Sequence, residues 1–152
     1  MKLSTREDVA VPIEAAFREI SDFEGFERAA LRRGADVSRT DNLSAPGFGM
    51  TWKAQFPFRN RDRKADLRLT NYDAPNGLEV FSKVSGIEAN VVIELVALSR
   101  AHTRMNVIVE LKPKSIPARL MIQSMKLAKS NLNKRFNKRV ADFAEHIEER
   151  SA

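Results

Sequence analysis

The sequence contains no cysteine. That excludes disulfides, thiolate nucleophiles and cysteine-ligated zinc or iron–sulfur centres, and it suits a reducing compartment. Histidine is nearly absent, with only His102 and His146. The first falls in a turn before a strand and the second among Glu145, Glu148 and Glu149. Each reads as a surface residue rather than a general base, and without suitably spaced carboxylates they make no metal site. Glycine is sparse, six residues in all, and neither a GxGxxG pattern nor a phosphate-binding loop occurs. No cofactor or metal is therefore expected. No stretch approaches the roughly 20 uninterrupted apolar residues of a membrane span. Met1 to Asp8 carry no apolar run and are not a signal peptide, so a cytoplasmic location is expected.

What is present fits one domain over residues 1–152, with 43% hydrophobic and 30% charged residues. Charge is unevenly placed. From Lys112 to Arg139 there are nine Lys or Arg and no Asp or Glu. That segment carries +9 against +6 for the chain, so the remainder carries −3. A basic element sits on a mildly acidic body.

Leu3 to Val11 alternates as a strand, and Pro12 breaks it at the start of a helix bearing Ile13, Ala16, Phe17 and Ile20. Ser21, Asp22 and Gly25 mark a break before a second short helix that ends at Gly34. From there the period becomes two. Strands are predicted over Asp36–Thr40, Gly49–Phe58, Lys64–Tyr72, Gly77–Val84, Ile87–Leu98 and Thr103–Lys112, with turn residues between them. Pro117 opens a last helix, in which Met121, Met125, Ala128, Leu132, Phe136, Val140, Phe143 and Ile147 form one apolar stripe. With no proline or glycine inside, it is predicted as a single helix roughly 45–50 Å long. The strands sort into an apolar face, including Trp52, Phe56, Leu67, Leu69, Val80, Ile93 and Val107, and a charged face. A sheet covered on one side only is expected, with the long helix as its cover.

The order strand, two helices, six strands, long helix resembles the START-like or SRPBCC superfamily, the helix-grip fold. The opening VAVPIEAAFREISDFEGF and the closing amphipathic helix carry the resemblance. It spans essentially the whole chain and includes polyketide cyclase/dehydrase-like and coenzyme Q-binding relatives. It implies an α+β fold: a seven-stranded curved antiparallel sheet wrapped round the C-terminal helix, with an apolar cavity between them. The expected cavity lining is Phe17, Trp52, Phe56, Leu67, Leu69, Val80, Ile93, Val107, Met121 and Met125, although the same residues also suit a filled core. Phe23, Phe26, Phe48 and Met50 are expected at its mouth. Gly47-Phe48-Gly49 reads equally as a simple turn.

Polar groups in phase with the apolar face are few, chiefly Asn71 and Ser82, and a lone serine without a base is no nucleophile. The sequence thus points to a binder or carrier of a small hydrophobic molecule: a lipid, isoprenoid quinone or polyketide-like compound. The alternatives are a cyclase- or hydrolase-like enzyme leaning on Asn71, Ser82 or His102, and an interaction module. Lys126, Lys134, Arg135, Lys138 and Arg139 make the exposed face of the last helix basic. That suits solvent, an anionic membrane surface or an acidic protein. Nucleic acid is disfavoured, because no aromatic side chain interleaves with the charge.

Overall fold

The computed structural model describes residues 1–151. β1 (Lys2–Val9) leads through Pro12 into α1 (Ile13–Ile20) and α2 (Phe23–Arg32). Six strands follow: β2 (Asp36–Arg39), β3 (Thr51–Phe58), β4 (Arg61–Asp73), β5 (Gly77–Val84), β6 (Ile87–Ser99) and β7 (His102–Pro113). The chain closes with α3 (Ile116–Leu127) and α4 (Lys129–Ser151). The strands form one antiparallel sheet in the order β1-β7-β6-β5-β4-β3-β2, so the first strand lies beside the last. The fold class expected from the sequence is the one observed.

Local chemistry sets the element ends. The Asp22 side chain accepts from the Gly25 N–H (3.2 Å) to cap α2, and Ser115 does the same for α3 from Ala118 (3.2 Å). Left-handed residues turn two hairpins, Arg59-Asn60 between β3 and β4 and Ser85-Gly86 between β5 and β6. At Gly86 a Cβ would lie 2.5 Å from Ser115 Oγ, so this glycine lets the start of α3 press onto the sheet.

The C-terminal helix differs from its sequence pattern. It breaks at Ala128 (φ −104°, ψ 20°), where the apolar stripe predicted one continuous helix. Two separate cores explain the break. Val140, Ala144 and Ile147 of α4 join the main core with Val9, Phe17, Trp52, Leu69 and Met105. Ala118 and Ile122 of α3 join a smaller core around Ile87. A straight rod cannot reach both across a curved sheet, and Ala128 absorbs the change of direction.

Strand β4 holds a second difference. Its pairing with β5 shifts between Leu69 and Asn71. This bulge reverses the phase, so Asn71 is exposed while Tyr72 turns inward and meets the Phe17 ring edge-on at 5.3 Å. Asn71, expected on the inward face, therefore faces solvent.

Candidate functional site

Along the inward face the alternation Leu69, Leu67, Ala65 continues back to Arg63, opposite Phe56 on β3. Arg63 is 9% exposed. Its Nε donates to the Phe58 carbonyl (3.3 Å) and its Nη1 to Ser85 Oγ (3.0 Å). Among the described residues no carboxylate lies within ion-pair distance of it. The sequence reading placed Arg63 in a surface turn by starting its strand at Lys64. Extending the alternation by one residue would have found it.

The Arg63 side chain lies in the wall of a pocket of about 180 Å³ between the β3–β4 and β5–β6 hairpins and α3, whose exposed surface is wholly apolar, from Phe56, Phe58, Val84, Ile87, Met121 and Met125 among others. That volume is below the roughly 300 Å³ of common small-molecule sites. The pocket's methionines are the walls most able to yield. Beyond it the inward residues Ser82, Val91 and Val109 are only half-buried, as are Leu132 and Phe136 of α4. Helix α4 packs chiefly along β1 at the sheet edge. The inward side chains between the two cores are therefore less closely covered than those within them.

The residues expected to line one cavity fall into two groups. Phe56, Met121 and Met125 meet at the apolar pocket. Phe17, Trp52, Leu69 and Val107 are buried in the main core, with Leu67, Val80 and Ile93 packed partly buried against it. Of the expected mouth residues, Met50 is instead 1% exposed, because it sits in the main core beneath the loop. Phe23 tilts against Trp52 at 5.4 Å. Phe48 is 72% exposed on the β2–β3 loop, and Phe26 lies in a separate polar cleft between α2 and α4. Lys126, Lys134, Arg135 and Lys138 are exposed, Lys138 pairing with Asp142 (3.0 Å), whereas Arg139 lines the α2–α4 cleft. His102 is exposed, with its Nδ1 3.1 Å from Ser99 Oγ, and His146 stacks on Phe143. Among the described residues no cluster of His, Asp and Glu fits a metal, and no helix is long and apolar enough to cross a membrane.

Asp41 anchors the loop that carries Phe48. Arg39 grips its carboxylate with Nε and Nη2 (2.9–3.1 Å), and the N–H groups of Thr51 (2.9 Å) and Leu43 (3.0 Å) complete the set. The Arg39 hydrogen bonds, then those two amides, hold the carboxyl well below the ordinary value of 3.8, against an opposing pull from burial. A depressed folded-state pKa stabilises the fold above the ordinary value, and the benefit is lost as pH falls through it toward the folded one. In chemical denaturation between pH 6 and about 2.5, wild type should therefore lose stability below about pH 4. Asp41→Asn should start less stable and show a shallower acid limb; superimposable limbs would refute the anchor.

No protein-family model matches the chain, and no curated protein matches it by sequence. Solved structures do match. The Zhui aromatase/cyclase from a Streptomyces species superposes with a TM-score of 0.71 at 10% identity, covering 100% of this chain and 96% of that one. The chain has the helix-grip fold. The protein TTHA0849 from Thermus thermophilus shares it (TM-score 0.68, 12% identity, 100% of both chains). So does Ara h 8.0201 (TM-score 0.59, 12% identity, 93% of this chain and 98% of that one). At such identities the likeness concerns the helix-grip fold alone, and function rests on the site.

Proposed function

We propose that this helix-grip protein binds and carries a small amphiphile, with an apolar body lodged between sheet and C-terminal helices and an oxyanion head at Arg63. One observation supports the reading: a buried arginine without a carboxylate partner stands with Ser85 in the wall of an apolar pocket, its guanidinium within reach once the methionine walls yield to a guest. Burying an uncompensated guanidinium is costly. A ligand carboxylate, enolate or phenolate would supply the missing charge through paired, charge-assisted hydrogen bonds. The lipid, quinone and polyketide-like candidates narrow accordingly to those that present an anionic oxygen. The guest's body supplies affinity by area buried, less the cost of fixing it.

Exchange with an anionic membrane surface completes the reading. Helix α3 is apolar on its outer side as well as its inner one: Ile116, Leu120 and Leu127 lie on one face and are 75%, 62% and 92% exposed. Arg119 and Lys126 flank that face, and Arg59 of the β3–β4 hairpin donates to Ser124 beside it (3.0 Å). Exposed leucines ringed by cations suit a bilayer interface with acidic headgroups. The apolar pocket lies under the same helix.

An enzyme of the cyclase or hydrolase type is the second reading. Arg63 and Ser85 together at the pocket favour it, since a guanidinium polarises a carbonyl. It lacks a base at the pocket, because Asn71 faces outward and His102 is exposed at the start of β7.

Native mass spectrometry of the purified protein, offered dodecanoate and dodecanol separately, tests the carrier. A one-to-one adduct with the carboxylate, weak or absent with the alcohol, is expected. No adduct with either guest would overturn the reading. Turnover of an offered ester would favour the enzyme.

A further inference from the structure

The α2–α4 cleft lies away from that pocket and shares no residue with it. It is a concavity of about 480 Å³, well within the range of small-molecule sites. Five arginines line it against three carboxylates. All three carboxylates are committed. Glu19 takes the Arg150 Nε at 2.7 Å, Asp142 takes Lys138 at 3.0 Å, and Asp22 caps α2. Arg28, Arg32, Arg33 and Arg139 make no ion pair or side-chain hydrogen bond among the described residues. Two facing helices thus hold four uncommitted guanidiniums round one concavity, an excess of positive charge that favours an anion there.

An aromatic row runs along the same wall. Phe26 of α2 tilts against Phe143 of α4 at 5.5 Å, and Phe143 stacks on His146 at 6.0 Å. Phe26 is 41% exposed, although it is large and apolar. A ring of this kind beside guanidiniums offers a planar guest a stacking face while the arginines take its charge.

We propose that this cleft is a second binding site, for a small planar aromatic ligand bearing at least two negative charges, the chemistry of a nucleoside diphosphate. The guanidiniums engage phosphate oxygens in forked pairs, and the base lies on Phe26. The site is independent of the amphiphile pocket, so either reading stands if the other fails.

Isothermal titration of the full chain with ADP, inorganic pyrophosphate and adenosine tests it at low salt. Saturable one-site ADP binding is expected, with pyrophosphate weaker and adenosine weaker still. Arg32→Ala with Arg139→Ala should cost at least about tenfold for ADP and pyrophosphate alike. Phe26→Ala should weaken ADP and leave pyrophosphate unchanged. Lys53→Ala with Arg100→Ala, which removes equal charge from exposed positions elsewhere, should change nothing. All these side chains are exposed, and circular dichroism will show that the variants fold. The proposal is overturned by absent or non-saturable ADP binding, or by equal losses in the cleft and control variants. Equal ADP and pyrophosphate affinities, with Phe26→Ala silent, would overturn the aromatic ligand class.

Discussion

Arg63→Met is expected to lower the affinity for a carboxylate amphiphile by roughly 10- to 100-fold while leaving a neutral alcohol of the same chain length within about twofold. Methionine keeps most of the side-chain volume and removes the charge, so the pocket wall survives while the headgroup contact goes. Stability should stay level or rise, because a buried guanidinium without a counter-charge has been removed. A purely structural arginine behaves otherwise. Losing its bonds to the Phe58 carbonyl and Ser85 would destabilise the β3–β4 hairpin and weaken both guests equally. Arg63→Lys separates charge from geometry, since it keeps the cation but loses the planar fork, and an intermediate affinity is expected. Native mass spectrometry for the guests and thermal melts for the fold give the two readouts. Equal loss of both guests with a lowered melting temperature would remove Arg63 from the ligand site.

The second large effect concerns the outer face of α3. Wild type should sediment with vesicles containing anionic phosphatidylglycerol at low salt, and Leu120→Glu with Leu127→Glu should abolish this. Burying a leucine in the interface contributes about 1.5–3 kcal/mol, and each charge near an acidic surface about 1 kcal/mol. Two such reversals exceed a hundredfold in partitioning. Because the leucines are 62% and 92% exposed, stability should change by less than about 0.5 kcal/mol per site. Arg119→Ala with Lys126→Ala should weaken binding to anionic vesicles and make no difference to neutral ones. A wild-type protein indifferent to anionic vesicles would end the membrane reading. If it instead dimerised, and the glutamate variants were monomeric by ultracentrifugation, the face would belong to a second copy of the chain.

Much of this molecule was legible before folding. Period-two alternation from Ala35 to Pro113 carried the meander, because a half-covered antiparallel sheet must segregate its side chains. The proline after β1, the break at Ser21 and Asp22 and the stripe of the last helix carried the helices. What alternation cannot register is a single inserted residue. Thr70 and Asn71 suit either face, so only hydrogen-bond register reveals the bulge that sends Asn71 outward and Tyr72 inward. Arg63 escaped for the opposite reason: its phase was readable, but a charged residue next to a turn looks like a surface residue until the fold buries it.

Sequence by itself determined the fold class, the two faces of the sheet and the basic segment from Lys112 to Arg139, because these depend on local periodicity and charge order. Tertiary structure alone decided the kink at Ala128, since it depends on two cores that only exist once the sheet curves. It also decided that Met50 lies inside, that Arg63 meets Phe56 across two strands, and that arginines of α2 face Arg139 from more than a hundred residues away. Those juxtapositions join residues with no local relation, and sites of this kind are made by chain closure rather than by pattern.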